Sequence, residues 1–243
     1  MPLKVLGVIP ARWASSRFEG KPLAEIAGKP MIAHVCERVR LAQQLDSYLV
    51  ATDDDRIADF CKSNGFPVAM TSPDHRTGTD RLAEVAETHD AEIYVNIQGD
   101  EPLIDPAAID AVADVLLQNR HRNIEVSTAY IEGATEAQEQ SLNYAHLVPT
   151  MDGCVLTFSR LPVPAAFRDP AKRTIHVGLY AFTGPALEAF AEWEQGPVER
   201  AESIELMRFL ERGWRIACVP IEPGSISVDH PEDVALVEAR LGA

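Results

Sequence analysis

The apolar positions of this chain follow two alternating rhythms. Short runs rich in Val and Ile at 5–9, 48–51 and 93–97 have the length and β-branched character of buried strands, and longer stretches such as 31–41 carry apolar residues at helical spacing. Strands alternating with helices predict an α/β fold with a parallel sheet. A helix start is explicit after Ile104. Asp105 suits the cap, Pro106 suits the first turn, and Ile109, Val112, Ala113 and Leu116 form an apolar stripe. Because this helix closely follows the 93–97 strand, residues 96–103 read as a strand-to-helix loop. From residue 125 the pattern changes to period two, at 125–131, 145–149 and 155–158, with Met151-Asp152-Gly153 as a hairpin turn. This predicts a β-rich, mixed or antiparallel extension over about 125–182. Helical patterning returns at 184–192 and 202–211, then a strand at 216–221 and a last helix from around Pro231. There is no internal repeat, low-complexity segment or long linker, so the 243 residues read as one domain, 1–243.

Charge narrows the function classes. A formal net charge of -15 and a pI near 4.8 exclude broad phosphate neutralisation, so no nucleic-acid partner is expected and any anionic ligand must meet a local basic pocket. Cys36, Cys61, Cys154 and Cys218 are widely spaced and form no C-x-x-C pair, which predicts buried, reduced thiols and neither a zinc site nor a disulfide framework. The start of the chain lacks a basic n-region followed by a long apolar stretch, and no segment has about 18 uninterrupted apolar residues. The expectation is a soluble, cytoplasmic protein with no membrane partner.

Two segments carry the chemistry, with a third in support. Ile9-Pro10-Ala11-Arg12-Trp13-Ala14-Ser15-Ser16-Arg17-Phe18-Glu19-Gly20-Lys21-Pro22-Leu23 is a small-residue, basic loop directly after the first strand, where open α/β sheets bind ligands. Backbone amides and small hydroxyls approach phosphates closely, while Arg12 and Lys21 neutralise charge on a departing pyrophosphate. Neither the Walker A pattern nor the dinucleotide G-x-G-x-x-G pattern is present. A basic loop alone also fits solvated surface. The second segment, Asn96-Ile97-Gln98-Gly99-Asp100-Glu101-Pro102-Leu103, puts two carboxylates at a strand's carboxyl end, a hard-oxygen setting that suits magnesium. Asp229, in Ser227-Val228-Asp229-His230-Pro231-Glu232-Asp233, is either a further strand-end carboxylate or the cap of the last helix.

Together these segments resemble the bacterial 3-deoxy-manno-octulosonate (Kdo) cytidylyltransferases, the CMP-Kdo synthetase family. The resemblance also runs through Gly28-Lys29-Pro30-Met31-Ile32, Ala51-Thr52-Asp53, Met70-Thr71, Gly78-Thr79-Asp80-Arg81 and Phe158-Ser159-Arg160. It implies an α/β nucleotide-diphospho-sugar transferase (Rossmann-like) fold with a mixed central sheet and a smaller antiparallel extension. It also implies a homodimer making CMP-Kdo from CTP and an acidic 2-keto-3-deoxy sugar for lipopolysaccharide assembly. Carried over residue by residue, Asp100 and Asp229 are the Mg2+ ligands and Arg12 and Lys21 the triphosphate cations. Gln98, His176, Tyr180 and Glu205 fall on the sugar side, and Arg17 and Arg81 are candidate carboxylate or phosphate binders.

Two departures fall on the acceptor side. In Pro197-Val198-Glu199-Arg200-Ala201-Glu202-Ser203-Ile204-Glu205-Leu206-Met207-Arg208, Leu206 replaces a family glutamine expected to face the sugar, and residues 142–148 lack the family's lysine. The acceptor therefore stays open between Kdo and another acidic sugar, such as an amino-Kdo or a different nonulosonic or octulosonic acid. A non-catalytic nucleotide-binding protein of the same fold is a further reading.

Overall fold

The first apolar run becomes β1 (Leu3–Ala11), the middle of a parallel sheet, in a computed structural model that describes residues 3–14 and 17–242. Along the chain follow a short hairpin of β2 (Glu25–Ile26) and β3 (Lys29–Pro30), then α1 (Met31–Val39), β4 (Ser47–Thr52), α2 (Asp55–Ser63), β5 (Val68–Met70), α3 (Gly78–Thr88) and β6 (Ala91–Asn96). β1 pairs in parallel with β4 and with β6, and β4 pairs in parallel with β5. Register places Ala11 beside Thr52, Thr52 beside Met70 and Val8 beside Asn96, so the carboxyl ends of the four strands share one edge. The helices start where local chemistry allows. Asp54 accepts from Arg56 N ahead of α2, and Thr77 with Asp80 forms a capping box at α3. These elements belong to one compact unit, comprising the described residues up to Asp110 and those from Gly224, which include α9 (Asp233–Leu241). α4 (Pro106–Asn119) runs past the point of division, and Asp105 Oδ1 accepts from Ala107 N at its start.

The β2–β3 turn uses Ala27 and Gly28, both at positive φ (49° and 78°), as a two-residue hairpin of this kind requires. Alanine is an uncomfortable occupant, because its Cβ crowds the following carbonyl in this region. Asparagine adopts it more readily. Ala27→Asn is therefore expected to raise stability by about 0.5–1 kcal/mol and the thermal midpoint by about 1–4 °C, checked by calorimetry. An unchanged midpoint would mean that the Ala27 N–H donating to Glu238 Oε1 (2.8 Å) already governs the turn.

The second unit, Ala111–Pro223, contains the expected β-rich segment. Its elements are β7 (Val126–Glu132), α5 (Glu136–Glu139), β8 (His146–Pro149), β9 (Val155–Ser159), β10 (Thr174–Thr183), α6 (Gly184–Glu192), α7 (Pro197–Glu202), α8 (Met207–Leu210) and β11 (Ile216–Pro220). β7 pairs antiparallel with β10 and parallel with β11, while β8 joins antiparallel β9 to β10. The 151–153 turn connects β8 to β9, with Gly153 at φ 78°.

One element differs from the pattern. Residues 202–211 read as a single helix, but α7 ends at Glu202, Ser203 adopts φ 53°, and α8 starts only at Met207. The Ser203 carbonyl accepts from Arg160 Nη2 (3.1 Å), a contact across more than forty residues that local periodicity does not encode. All four cysteines are free thiols and buried, and burial pushes Cys61 up to about 11 and Cys218 up to about 12, so these two stay protonated. Among the described residues no helix is long and apolar enough to cross a membrane.

Candidate active site

Asp100 and Asp229, more than a hundred residues apart, meet because two backbone segments are stitched together. After β6, Ile97 N donates to Val8 O, and the chain turns at Gln98-Gly99 so tightly that a Cβ on Gly99 would lie 2.7 Å from Pro10 O. Only glycine permits that approach. The Asp100 carbonyl then accepts from Val228 N (2.9 Å), which brings Asp229 alongside. Val228 is fully buried in a cluster with Ile26, Met31 and Val237, and Phe18, Leu103, Ile226 and Val234 pack against it. One small core thus fixes the basic loop through Phe18, the strand-to-helix loop through Leu103, and the Asp229 segment through Val228. Burying an aliphatic side chain of this size contributes about 1.5–3 kcal/mol.

The charges of this unit converge on the two carboxylates. Lys21 Nζ lies 2.6 Å from Asp100 Oδ2 and 3.6 Å from Asp229 Oδ1, and Arg17 Nη2 donates to Asp229 Oδ1 at 2.8 Å. The Asp229 side chain is not the helix cap. Asp233 Oδ2 accepts from the N–H groups of Asp229 (2.9 Å) and His230 (2.8 Å), leaving the Asp229 carboxylate to the cations. Glu101, next to Asp100, is different in kind: burial takes it up to about 7 against a Ser225 hydrogen bond that lowers it, and its Oε2 is buried without a partner among the described residues. Arg12 is exposed and Gln98 half-buried.

The donor set fits magnesium. Two carboxylates on strand-end loops hold one ammonium between them, a charge arrangement that a hard cation also satisfies. Among the described residues no group of three or more His, Cys, Asp or Glu could hold a metal ion. A Mg2+ ion here would therefore rely on water and phosphate oxygens for most of its shell, which is its usual preference.

The basic loop is braced by residues whose role the apolar pattern does not disclose. Gly20 N donates to Trp13 O (3.0 Å), and the Trp13 ring lies so close that a Cβ on Gly20 would approach it to 2.9 Å. Arg56 stacks over Trp13, its Cζ 3.4 Å from the ring centroid, and Asp54 holds the guanidinium through bonds of 2.8 and 2.7 Å. Ser15 and Ser16 lie outside the described residues. Arg81 is buried at 3% exposure, donating to Thr71 Oγ1 with Asp53 Oδ2 3.4 Å away. Asp53 Oδ1, just past β4, and Asn96 Oδ1, at the end of β6, are buried acceptors without a hydrogen-bond partner among the described residues.

The remaining candidates belong to the second unit. His176 stacks on Tyr180 (centroids 5.5 Å, 12°), touches Phe158 at 4.7 Å, and shares a 3.0 Å hydrogen bond between Nε2 and Thr128 Oγ1. Since the Thr128 hydroxyl donates to Leu179 O (3.1 Å), its oxygen accepts from His176 Nε2–H. Burial, assisted by the Arg160 charge, pulls His176 down to about 3. It is a neutral hydrogen-bonding group at any working pH. Arg160 gives its guanidinium to backbone carbonyls, Nε to Glu202, Nη1 to Asn143 and Nη2 to Ser203, while its own N–H donates to Glu202 Oε2 (2.7 Å). Glu205 is half-buried in the turn between α7 and α8.

A family model for cytidylyltransferases matches residues 6–216. The 3-deoxy-manno-octulosonate cytidylyltransferase of Solibacter usitatus is 46% identical over 98% of this chain and 94% of its own length. That of Geobacter metallireducens is 43% identical over 98% of each. The chain belongs to the 3-deoxy-manno-octulosonate cytidylyltransferase family. Its fold is that of the solved CMP:2-keto-3-deoxy-manno-octonic acid synthetase complexed with CTP, with a TM-score of 0.92 at 35% identity over 98% of both chains. A cytidylyltransferase from Leptospira borgpetersenii, at 20% identity and a TM-score of 0.67, shares the general fold.

The two departures from the family pattern acquire a physical setting. Leu206 has no exposed surface and packs in the second unit's core, so the position expected to present an amide to the sugar is occupied by packing. His146 is also fully buried, with Nδ1 donating to Thr174 O (3.2 Å) and Nε2 without a partner among the described residues. Within the 197–208 segment, Glu199 forms a buried pair with Arg208 and Glu202 anchors the Arg160 backbone, so both serve the architecture.

His176 also sets an acid sensitivity. It is neutral in the fold but protonates at its ordinary value of 6.5 when unfolded, so the unfolded state binds the extra proton between about 6.5 and about 3. Stability is thus lost as pH falls through that window. Urea unfolding at pH 7 and pH 4.5 should show a drop about 2–3 kcal/mol smaller in His176→Asn than in the wild type. Equal drops would mean His176 is not held neutral.

Proposed function

We propose that this chain transfers CMP from CTP to the anomeric hydroxyl of Kdo, releasing pyrophosphate, in a magnesium-dependent reaction. The observation that carries this reading is the ammonium of Lys21 held between Asp100 and Asp229 at the carboxyl edge of the parallel sheet. The hydroxyl oxygen bonds to the α-phosphorus as the bond to the bridging β-phosphate oxygen breaks on the opposite side, and the hydroxyl proton leaves to solvent water. Arg12, Arg17 and Lys21 take the charge that moves onto pyrophosphate, and preorganised cations of this kind stabilise the transition state more than the ground state. Mg2+ bound by Asp100 and Asp229 would supply Lewis-acid polarisation of phosphate oxygens. On the acceptor side we assign Gln98, His176, Tyr180 and Glu205 to the sugar. The neutral imidazole of His176 orients a hydroxyl and carries no charge.

Kdo is preferred over other acidic sugars because relatives 43–46% identical over 98% of this chain are 3-deoxy-manno-octulosonate cytidylyltransferases, and Leu206, packed in the core, offers no polar group to a different acceptor. The product would serve lipopolysaccharide assembly in the cytoplasm, a setting supported by four buried free thiols. A homodimer is supported by exposed apolar residues on and after the edge strand β9, Leu156 and Leu161 (each 64%) and Phe167 (88%). The decisive assay is pyrophosphate release across all four nucleoside triphosphates with Kdo and a panel of 2-keto-3-deoxy acid sugars. The expected result is release only with CTP, and fastest with Kdo. Equal release with UTP, or with no sugar present, would overturn the assignment.

A further inference from the structure

Lys21 and Arg17 are drawn to the carboxylates assigned to the metal, so the cations meant for the triphosphate lie against the position a divalent ion would take. The Lys21 side chain is largely enclosed (14% exposed), with 2.6 Å to Asp100 and 3.6 Å to Asp229, and Arg17 adds a 2.8 Å contact to the same Asp229 oxygen. A divalent ion cannot join that arrangement without strong repulsion at these separations. With no third carboxylate, imidazole or thiolate in the cluster among the described residues, nothing compensates.

We propose that Lys21, aided by Arg17, is a placeholder cation: it occupies the divalent-ion position in the nucleotide-free protein and vacates it by swinging onto the triphosphate, so that metal and nucleotide enter by exchange. The inference rests on reading Asp100 and Asp229 as metal ligands. The backbone is built for a side-chain swing. Lys21 opens a short 3-10 turn, Lys21–Leu23, with Pro22 buried, Gly20 at φ 68° and Gly20 O accepting from Leu23 N (2.9 Å). Behind it Gly20 N is tied to Trp13 O, and Trp13 lies beneath Arg56. With its Cα pinned, Lys21 moves through its flexible four-carbon stem, a property arginine's rigid fork lacks. Two consequences follow from linkage. Free metal binds poorly because it must displace Lys21, and the triphosphate raises metal affinity by relocating that charge as well as by donating oxygens.

Mn2+ titration of the nucleotide-free full chain, followed by electron paramagnetic resonance, tests this without reference to turnover. Lys21→Met should tighten Mn2+ at least 10-fold while weakening CTP binding. Lys21→Arg, which retains the charge, should bind Mn2+ as weakly as the wild type. Arg17→Met should tighten Mn2+ by a smaller factor, about 2–3-fold, and serves if Lys21→Met folds poorly by circular dichroism. Adding Asp100→Asn to Lys21→Met should abolish the gain. Unchanged or weaker Mn2+ binding in both Lys21→Met and Arg17→Met, with residual binding still dependent on Asp100, overturns the exchange but leaves the metal assignment standing. Mn2+ binding insensitive to Asp100 and Asp229, with and without CTP, overturns both.

Discussion

Asp100→Asn is expected to lower pyrophosphate release on the order of 1000-fold while the protein stays folded. A loss of that size corresponds to about 4 kcal/mol of transition-state stabilisation, within what a metal-binding carboxylate supplies. Asparagine keeps the size and shape of aspartate, and the feature that locks Asp100 in place, its carbonyl accepting from Val228 N, belongs to the backbone and survives. The substitution weakens the side-chain ion pair with Lys21, a part-exposed interaction that contributes about 1 kcal/mol or less to stability. Activity and stability should therefore separate, with turnover collapsing and the thermal midpoint moving by only a few degrees. Near-wild-type release would remove Asp100 from the chemistry. A midpoint that falls in step with activity would show that the loop, and not the carboxylate, had been damaged.

How far the sequence reveals this arrangement depends on the range over which each feature is encoded. The strands at 5–9, 48–51 and 93–97 and the helices from Met31 and Pro106 are local, since burial periodicity and caps lie within a few residues of one another. Strand-end placement of Asp100 follows from the same logic. The ambiguity of Asp229 does not resolve locally, because an aspartate just ahead of a helix can serve as its cap, and the long-range bond between Val228 N and Asp100 O is what directs Asp229 toward Lys21. The break at Ser203 is likewise invisible to periodicity, which sees apolar spacing but not the Arg160 guanidinium. Trp13, Arg56 and Asp54 form a stack joining two separate loops, and neither loop's pattern announces it. Gly99 is a local clue to close packing at the site, and its reason emerges only when Pro10 O is seen against it.

Arg208→Met is expected to destabilise the protein by about 3–5 kcal/mol, because it strands a buried carboxylate. Glu199 and Arg208 have side chains only 2% and 5% exposed, and the pair is bidentate, Nε to Oε2 at 2.8 Å and Nη2 to Oε1 at 2.6 Å. Arg208 Nη1 also donates to the carbonyls of Phe190 (2.9 Å) and Trp193 (3.3 Å), and its guanidinium lies 3.6 Å from the Phe190 ring centroid. Removing it leaves Glu199 with the Gln195 amide as its remaining side-chain partner and opens the end of α6. The double variant Glu199→Leu with Arg208→Met should lose less than the sum of the two single losses, since no charge is left buried. Because the same turn carries Glu202, whose carboxylate holds the Arg160 backbone, and Glu205, Arg208→Met should also loosen hydrogen-exchange protection from α7 through α8. Additive losses in the urea midpoints of the three variants would mean that the guanidinium's carbonyl and ring contacts, and not its pairing with Glu199, hold this turn.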